Sequence, residues 1–184
     1  ARRCNDHVAE YYVSAHPSRF GGLAVVPVQD AEAAASELER AVRTLGFRGA
    51  MINGFTNTGD DNAPKYLDTP DLEPFWERVE DLGVPIYLHP RVPAASQRLT
   101  FAGYEGIAGS AWGFGRETAE HSIRMILSGL FDRFPKVNIV LGHLGECLTF
   151  ALPRMDHRLR PQSQDSHGSH TTPPSHYRRE IFPL

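Results

Sequence analysis

Two histidines occupy positions where parallel α/β proteins commonly build chemistry. His89 ends the apolar run VPIYL, and His143 follows VNIVL after a single glycine. Residues at the C-terminal ends of parallel strands line the ligand site in such folds. A neutral imidazole there is a good ligand for zinc or a similar divalent ion. Gly142 and Gly145 flank His143 and would let backbone or ligand approach closely. Glu146 follows within one turn and can orient the imidazole as a hydrogen-bonded carboxylate. A lone strand-end histidine is more often a hydrogen-bonded structural residue than a ligand. Two on strands of like topology strengthen the functional reading. They still do not complete a catalytic zinc site, which takes three protein ligands. Asp60, Asp61 and Asp68 have suitable chemistry, but they sit in a polar loop and read as solvated.

The remaining nucleophiles and histidines point to less. His157, His167, His170 and His176 match no zinc spacing, and their segment is polar throughout. His7 and His16 read as exposed helix positions. Cys147 follows Glu146 but has no base arranged beside it, and a free cysteine is commonly a buried, inert residue. The chain contains no G-x-S-x-G, no P-loop and no G-x-G-x-x-G.

These residues must be positioned by repeated strand–helix units. Phe20–Val28 is a short apolar run and reads as a strand. Asp30 then caps a helix whose face is Leu38, Ala41, Val42 and Leu45, ending near Gly46. Phe47–Asn53 reads as the second strand. Thr69-Pro70 opens a helix with Leu72, Phe75, Trp76 and Val79 on one face, closed by Gly83. Val84–Leu88 is the third strand. The long connection Arg91–Gly115 carries Phe101, Tyr104, Trp112 and Phe114 and is expected to be ordered. Arg116–Asp132 reads as one helix, with Ile123, Ile126, Leu127 and Leu130 inward. Val137–Leu141 is the fourth strand, and Glu146–Arg158 is helical despite Pro153. Pro161–Ser175 is Ser/His/Pro-rich and polar, read as a flexible loop over 161–178, and a last strand begins near Ile181. Alternating β and α with apolar strands argues for a parallel sheet, either doubly wound or part of a barrel.

Composition bounds the rest. The chain has 184 residues, 41% hydrophobic and 22% charged, about one domain. A complete (β/α)₈ barrel needs at least roughly 200 residues. The net charge of −3 gives no footprint for nucleic acid or membrane. Two cysteines, Cys4 and Cys147, suit a reducing compartment, and the cytoplasm is expected. No run approaches a membrane span, and no signal peptide is visible. The chain opens at Ala1 in polar, helix-like sequence, so it is expected to be a piece of something longer.

The stretches GFRGAMINGFTN, YLDTPDLEPFWERVEDLGVPIYLHP, AWGFGRETAEHSIRMILSGLFDRFPKVNIVLGHLGE and PRMDHR resemble the hydroxybenzoate decarboxylases of the amidohydrolase superfamily. That group acts on 2,6- and 2,3-dihydroxybenzoate, and the resemblance runs from about Phe20 to Arg158. It implies a (β/α)₈ TIM barrel of the metal-dependent hydrolase type, with one divalent metal (zinc or manganese, magnesium also fitting) at the mouth. It assigns His89 as the fifth-strand metal ligand, His143 as the sixth-strand catalytic histidine and Glu146 as its partner. Arg154 matches an arginine that holds the substrate's polar groups. Trp112 and Phe114 fall in the segment that walls the aromatic pocket.

By the same resemblance, the chain is one incomplete barrel domain over residues 1–184, from about the third strand to the start of the seventh. The strand bearing an E-x-H or H-x-H pair and the strand bearing the acidic Asp lie outside it. The parent is therefore expected to be a non-oxidative carboxy-lyase taking a small aromatic acid, assembled as a homodimer or homotetramer. The fragment alone is expected to bind metal weakly and turn over nothing measurable. A metal-dependent hydrolase of a lactone or amide, and a non-enzymatic truncated product, are the alternatives. Cys147 stands where the family commonly has Gly, and Pro153 could shift Arg154.

Overall fold

A computed structural model describes residues 1–60, 63–159 and 172–177. Three short strands form a parallel sheet in the order β1 (Ala50–Asn53), β2 (Ile86–His89), β3 (Ile139–Leu141). The register pairs Asn53 with His89 and Leu88 with Leu141, so successive strand ends lie side by side. Helices alternate with the strands, the arrangement expected of a barrel sector or a doubly wound sheet.

The helix before β1, α2 (Ala31–Arg43), starts because the Asp30 carboxylate accepts the Ala33 N–H at 3.0 Å. A short N-terminal helix, α1 (Arg2–Val8), precedes it. The helix between β1 and β2, α3 (Glu73–Leu82), is entered through a tight turn at Pro70–Leu72 and ends at left-handed Gly83. Thr69 does not cap it. Its hydroxyl donates to the Tyr66 carbonyl at 3.2 Å instead. Ala34, Leu38 and Ala41 of α2 pack with Phe75, Trp76 and Val79 of α3 over the strand residues Ile86, Leu88 and Ile139, all in one core.

Phe20–Val28, expected as a strand, makes a single parallel bridge, Ala24 to Ala50. The Ala24 N–H donates to the Gly49 carbonyl at 2.8 Å, and Met51 N–H donates to Ala24 at 2.9 Å. Pairing ends there because the chain turns at Val26–Val28, and Pro27 has no N–H to donate. The Asn5 side chain takes over, exchanging two 2.9 Å hydrogen bonds with the Val25 backbone.

The long helix expected over Arg116–Asp132 is two helices, α4 (Gly113–Leu127) and α5 (Leu130–Arg133). They break at Gly129, whose φ of 71° no helix interior accommodates. The last helix, α6 (Leu148–Arg158), keeps Pro153 in its interior but starts two residues later than expected. The strand expected near Ile181 lies outside the described residues, as does most of the polar segment before it. Pro174–Tyr177 are described and form a helical turn. Tyr177 is buried, and its hydroxyl donates to Asp132 at 2.6 Å. Among the described residues, no helix is long and apolar enough to cross a membrane.

Candidate active site

His89 is the last residue of β2 and is half-buried. Its Nδ1 lies 2.9 Å from Asn53 Oδ1 and 2.8 Å from the Pro90 carbonyl. His89, Asn53, Phe55, Arg91 and Phe114 line a cleft of about 870 Å³ over the ends of β1 and β2. Arg91 lies across the Phe55 ring at 3.9 Å and donates to the Phe55 carbonyl at 2.6 Å, which fixes that wall.

His143 sits just past β3, with its side chain 61% exposed, and its Nδ1 donates to Glu146 Oε1 at 2.7 Å. The Glu146 side chain is only 7% exposed. A carboxylate can only accept, so Nδ1 carries the proton and Nε2 is left for chemistry. The backbone that makes this pair is unusual. His143 (φ 49°), Leu144 (58°), Gly145 (73°), Glu146 (53°) and Cys147 (62°) are all left-handed. Four of the five carry a Cβ, each disfavoured there by roughly 1–2 kcal/mol. Backbone strain of this kind concentrates at functional sites. The sequence reading began α6 at Glu146. The helix in fact begins at Leu148, because the left-handed run must finish first.

His143, Glu146 and Cys147 line a second cavity of about 440 Å³ with Trp112, Phe114 and Ile123. Phe114 lines both cavities. The two imidazoles therefore face separate spaces that share an aromatic wall. Trp112 is more than half exposed and precedes α4. Arg154 is exposed on α6, one turn beyond Ala151 of the cavity wall, and does not itself line it. Cys4 and Cys147 are both free and exposed, so Cys147 is not the buried, inert thiol expected of it.

The other candidates separate clearly. Asp68 is not merely solvated: Arg124 grips it with two hydrogen bonds of 3.0 and 2.8 Å. Asp61, His167 and His170 lie outside the described residues. His7, His157 and His176 are exposed on helices or helical turns, and His16 is exposed in a turn. Among the described residues no three His, Cys, Asp or Glu side chains come together as a metal site. His89 suits a metal as one ligand, but the described residues do not supply a complete donor set.

Two features escaped the sequence reading. Asn53 ends β1 as His89 ends β2, so the rule that selected the histidines would have selected it too. The second is a buried pair on α4, Glu117 and His121, 1% and 0% exposed on their side chains. His121 Nε2 accepts the Leu67 N–H at 2.9 Å, so its proton sits on Nδ1, 3.7 Å from Glu117 Oε1. Among the described residues, neither Glu117 oxygen has a hydrogen-bond partner. The signal was available, since Glu117 and His121 share the i, i+4 stripe that continues to the core residue Met125.

The amidohydrolase family model, described as "Amidohydrolase", matches residues 1–179. The chain belongs to the amidohydrolase family. Among curated relatives of this amidohydrolase, the gamma-resorcylate decarboxylase of Polaromonas sp. is 49% identical over 158 residues, 86% of this chain and 48% of that protein. The enzyme of the same name from Rhodococcus jostii is 47% identical, covering 86% and 49%. Among solved structures, a dihydroxybenzoic acid decarboxylase from Polaromonas sp., with bound manganese and the inhibitor 2-nitroresorcinol, superposes with a TM-score of 0.91. It is 44% identical and covers 99% of this chain and 55% of its own. The 5-carboxyvanillate decarboxylase of Sphingomonas paucimobilis superposes at 0.87, with 40% identity, 98% of this chain and 52% of its own. The parallel sheet is thus part of an amidohydrolase-type TIM barrel. The chain spans about half the length of the curated relatives it matches.

Proposed function

We propose that this amidohydrolase chain is part of a metal-dependent, non-oxidative decarboxylase of hydroxybenzoates of the 2,6-dihydroxybenzoate type. One observation carries the reading. The His143–Glu146 pair opens onto an aromatic cavity, in a chain nearly half identical to gamma-resorcylate decarboxylases. Loss of carbon dioxide from such a ring needs a proton delivered to the carbon that bears the carboxylate. His143 would assist that delivery at Nε2, beside the acidic Asp expected outside this chain, and Glu146 would stabilise the imidazolium whenever it forms. Trp112 and Phe114 offer flat apolar walls for a benzene ring, and Arg154 is assigned to the substrate's polar groups.

A divalent ion, manganese as in the Polaromonas structure or zinc, would serve as template and Lewis acid, with His89 Nε2 as this chain's donor. Its other ligands must come from outside the described residues. The parent is assigned to the cytoplasm as a homodimer or homotetramer, with a small aromatic acid as substrate and no nucleic-acid or membrane partner.

The test is an assay of the gene product carrying these residues together with its flanking coding sequence, loaded with Mn²⁺. Carbon dioxide and 1,3-dihydroxybenzene should appear from 2,6-dihydroxybenzoate, and His143→Ala should abolish both. The 184-residue chain alone should release none. Acid production from lactones or amides, without carbon dioxide from any hydroxybenzoate, would replace the proposal with a hydrolase.

A further inference from the structure

We infer that Asn53 is a positioning residue that, together with the Pro90 carbonyl, fixes the tautomer and ring orientation of His89. The argument begins with Pro90. Its carbonyl lies 2.8 Å from His89 Nδ1 and can only accept, so Nδ1 must carry the proton. A protonated Nδ1 makes the Asn53 atom 2.9 Å away an acceptor, which settles that Oδ1 rather than Nδ2 faces the ring. Two acceptors converge on one N–H, and Nε2 is left with a lone pair. A free imidazole has no such bias imposed on it.

The backbone supports the assignment. Asn53 and His89 are register partners at the ends of adjacent parallel strands, so the main-chain pairing that forms the sheet also sets the side-chain contact. Among the described residues, Asn53 makes no other side-chain hydrogen bond, so its amide is committed to this role. Both residues line the same cleft. Asn53 thus adds a second acceptor to the one Pro90 supplies, and the two together favour the neutral ring whose Nε2 carries the lone pair.

The experiment is ¹⁵N NMR of the imidazole of His89 in the 184-residue chain, at a pH where the ring is neutral. It uses no metal and no substrate, so it succeeds or fails independently of the decarboxylase reading. The wild-type ring should be the Nδ1–H tautomer. Asn53→Leu, which removes one of the two acceptors and leaves Pro90, should shift the tautomer ratio toward Nε2–H by roughly three- to tenfold, the worth of one hydrogen bond. Asn53→Asp, which keeps an acceptor in place, should retain Nδ1–H. Circular dichroism and cross-strand contacts between β1 and β2 verify that each variant is folded. An Nε2–H tautomer in the wild type would overturn the inference, whether or not Asn53→Leu folds. So would a folded Asn53→Leu variant with the wild-type ratio.

Discussion

Gly115 and Glu146 meet face to face, and the contact leaves no room for a side chain. A Cβ built on Gly115 would lie 2.6 Å from Glu146 Oε2. Gly115 belongs to α4, and Glu146 to the left-handed run after β3. The glycine is therefore what allows the carboxylate to reach His143 from a nearly buried position. Gly115→Val should leave the fold intact, because the displaced atom is the end of a flexible side chain. It should push the carboxylate off His143 Nδ1. In the active parent enzyme the expected result is a loss of kcat of roughly 10²-fold or more, the scale of a mispositioned acid–base group, with KM little changed. Steady-state kinetics beside a thermal melt reads both. A variant with full kcat would show that the His143–Glu146 contact is not used in turnover.

Much of this arrangement was legible in the sequence, and the remainder was hidden for physical reasons. The apolar runs before His89 and His143, the Asp30 cap and the Leu72–Val79 face all report local rules, and each sits where those rules place it. The left-handed run from His143 to Cys147 was not legible. Only Gly145 advertises positive φ, while the four other residues adopt it with nothing in their types to announce it. The Gly115–Glu146 approach was hidden for the same reason, being a tertiary fact about two residues with no pattern between them. The failure of Phe20–Val28 to form a full strand depends on Pro27 and on Asn5 occupying the Val25 backbone. Propensity alone cannot see that competition. Asn53 was overlooked because amides carry no metal or acid–base signal, although its strand-end position matches that of His89.

The buried Glu117–His121 pair separates two kinds of polar burial. His121 satisfies the Leu67 N–H, so His121→Phe removes that acceptor and should cost about 1–3 kcal/mol. Glu117 holds no hydrogen bond among the described residues to lose. Glu117→Gln keeps the shape and adds an N–H donor. It should be neutral or stabilising, as replacements of poorly paired buried groups often are. Urea denaturation of both variants checks the contrast. Equal destabilisation by both would show that Glu117 has partners of its own.

The cap at the start of α2 gives a local test. Asp30 closes the first turn by accepting the Ala33 N–H. Asp30→Ala should destabilise the chain by about 0.5–2 kcal/mol, and Asp30→Ser should recover most of it. The midpoint of urea unfolding is the measurement, with the slope unchanged.

Acid stability should depend on Glu37. Its carboxylate accepts from Arg40 Nε at 2.9 Å and Nη2 at 2.7 Å, and from Asn5 Nδ2 at 2.7 Å. The Arg40 hydrogen bonds are the main cause that lowers its pKa from 4.5 to about 2, against the opposing effect of burial. Because the folded value lies below the unfolded one, the stabilisation is complete above about pH 4.5. It is lost as pH falls from there through about 2. The amount at stake is on the order of 1–3 kcal/mol, solvent screening of the partly exposed Arg40 pair reducing the full value. It also secures α1, since Asn5 on that helix joins Glu37 to the Val25 backbone. Glu37→Gln should therefore lower stability at pH 7 and flatten the pH dependence between 4.5 and 2. Denaturation curves across that range, compared with wild type, measure the difference directly. Parallel curves with a constant gap would assign the acid sensitivity to other carboxylates.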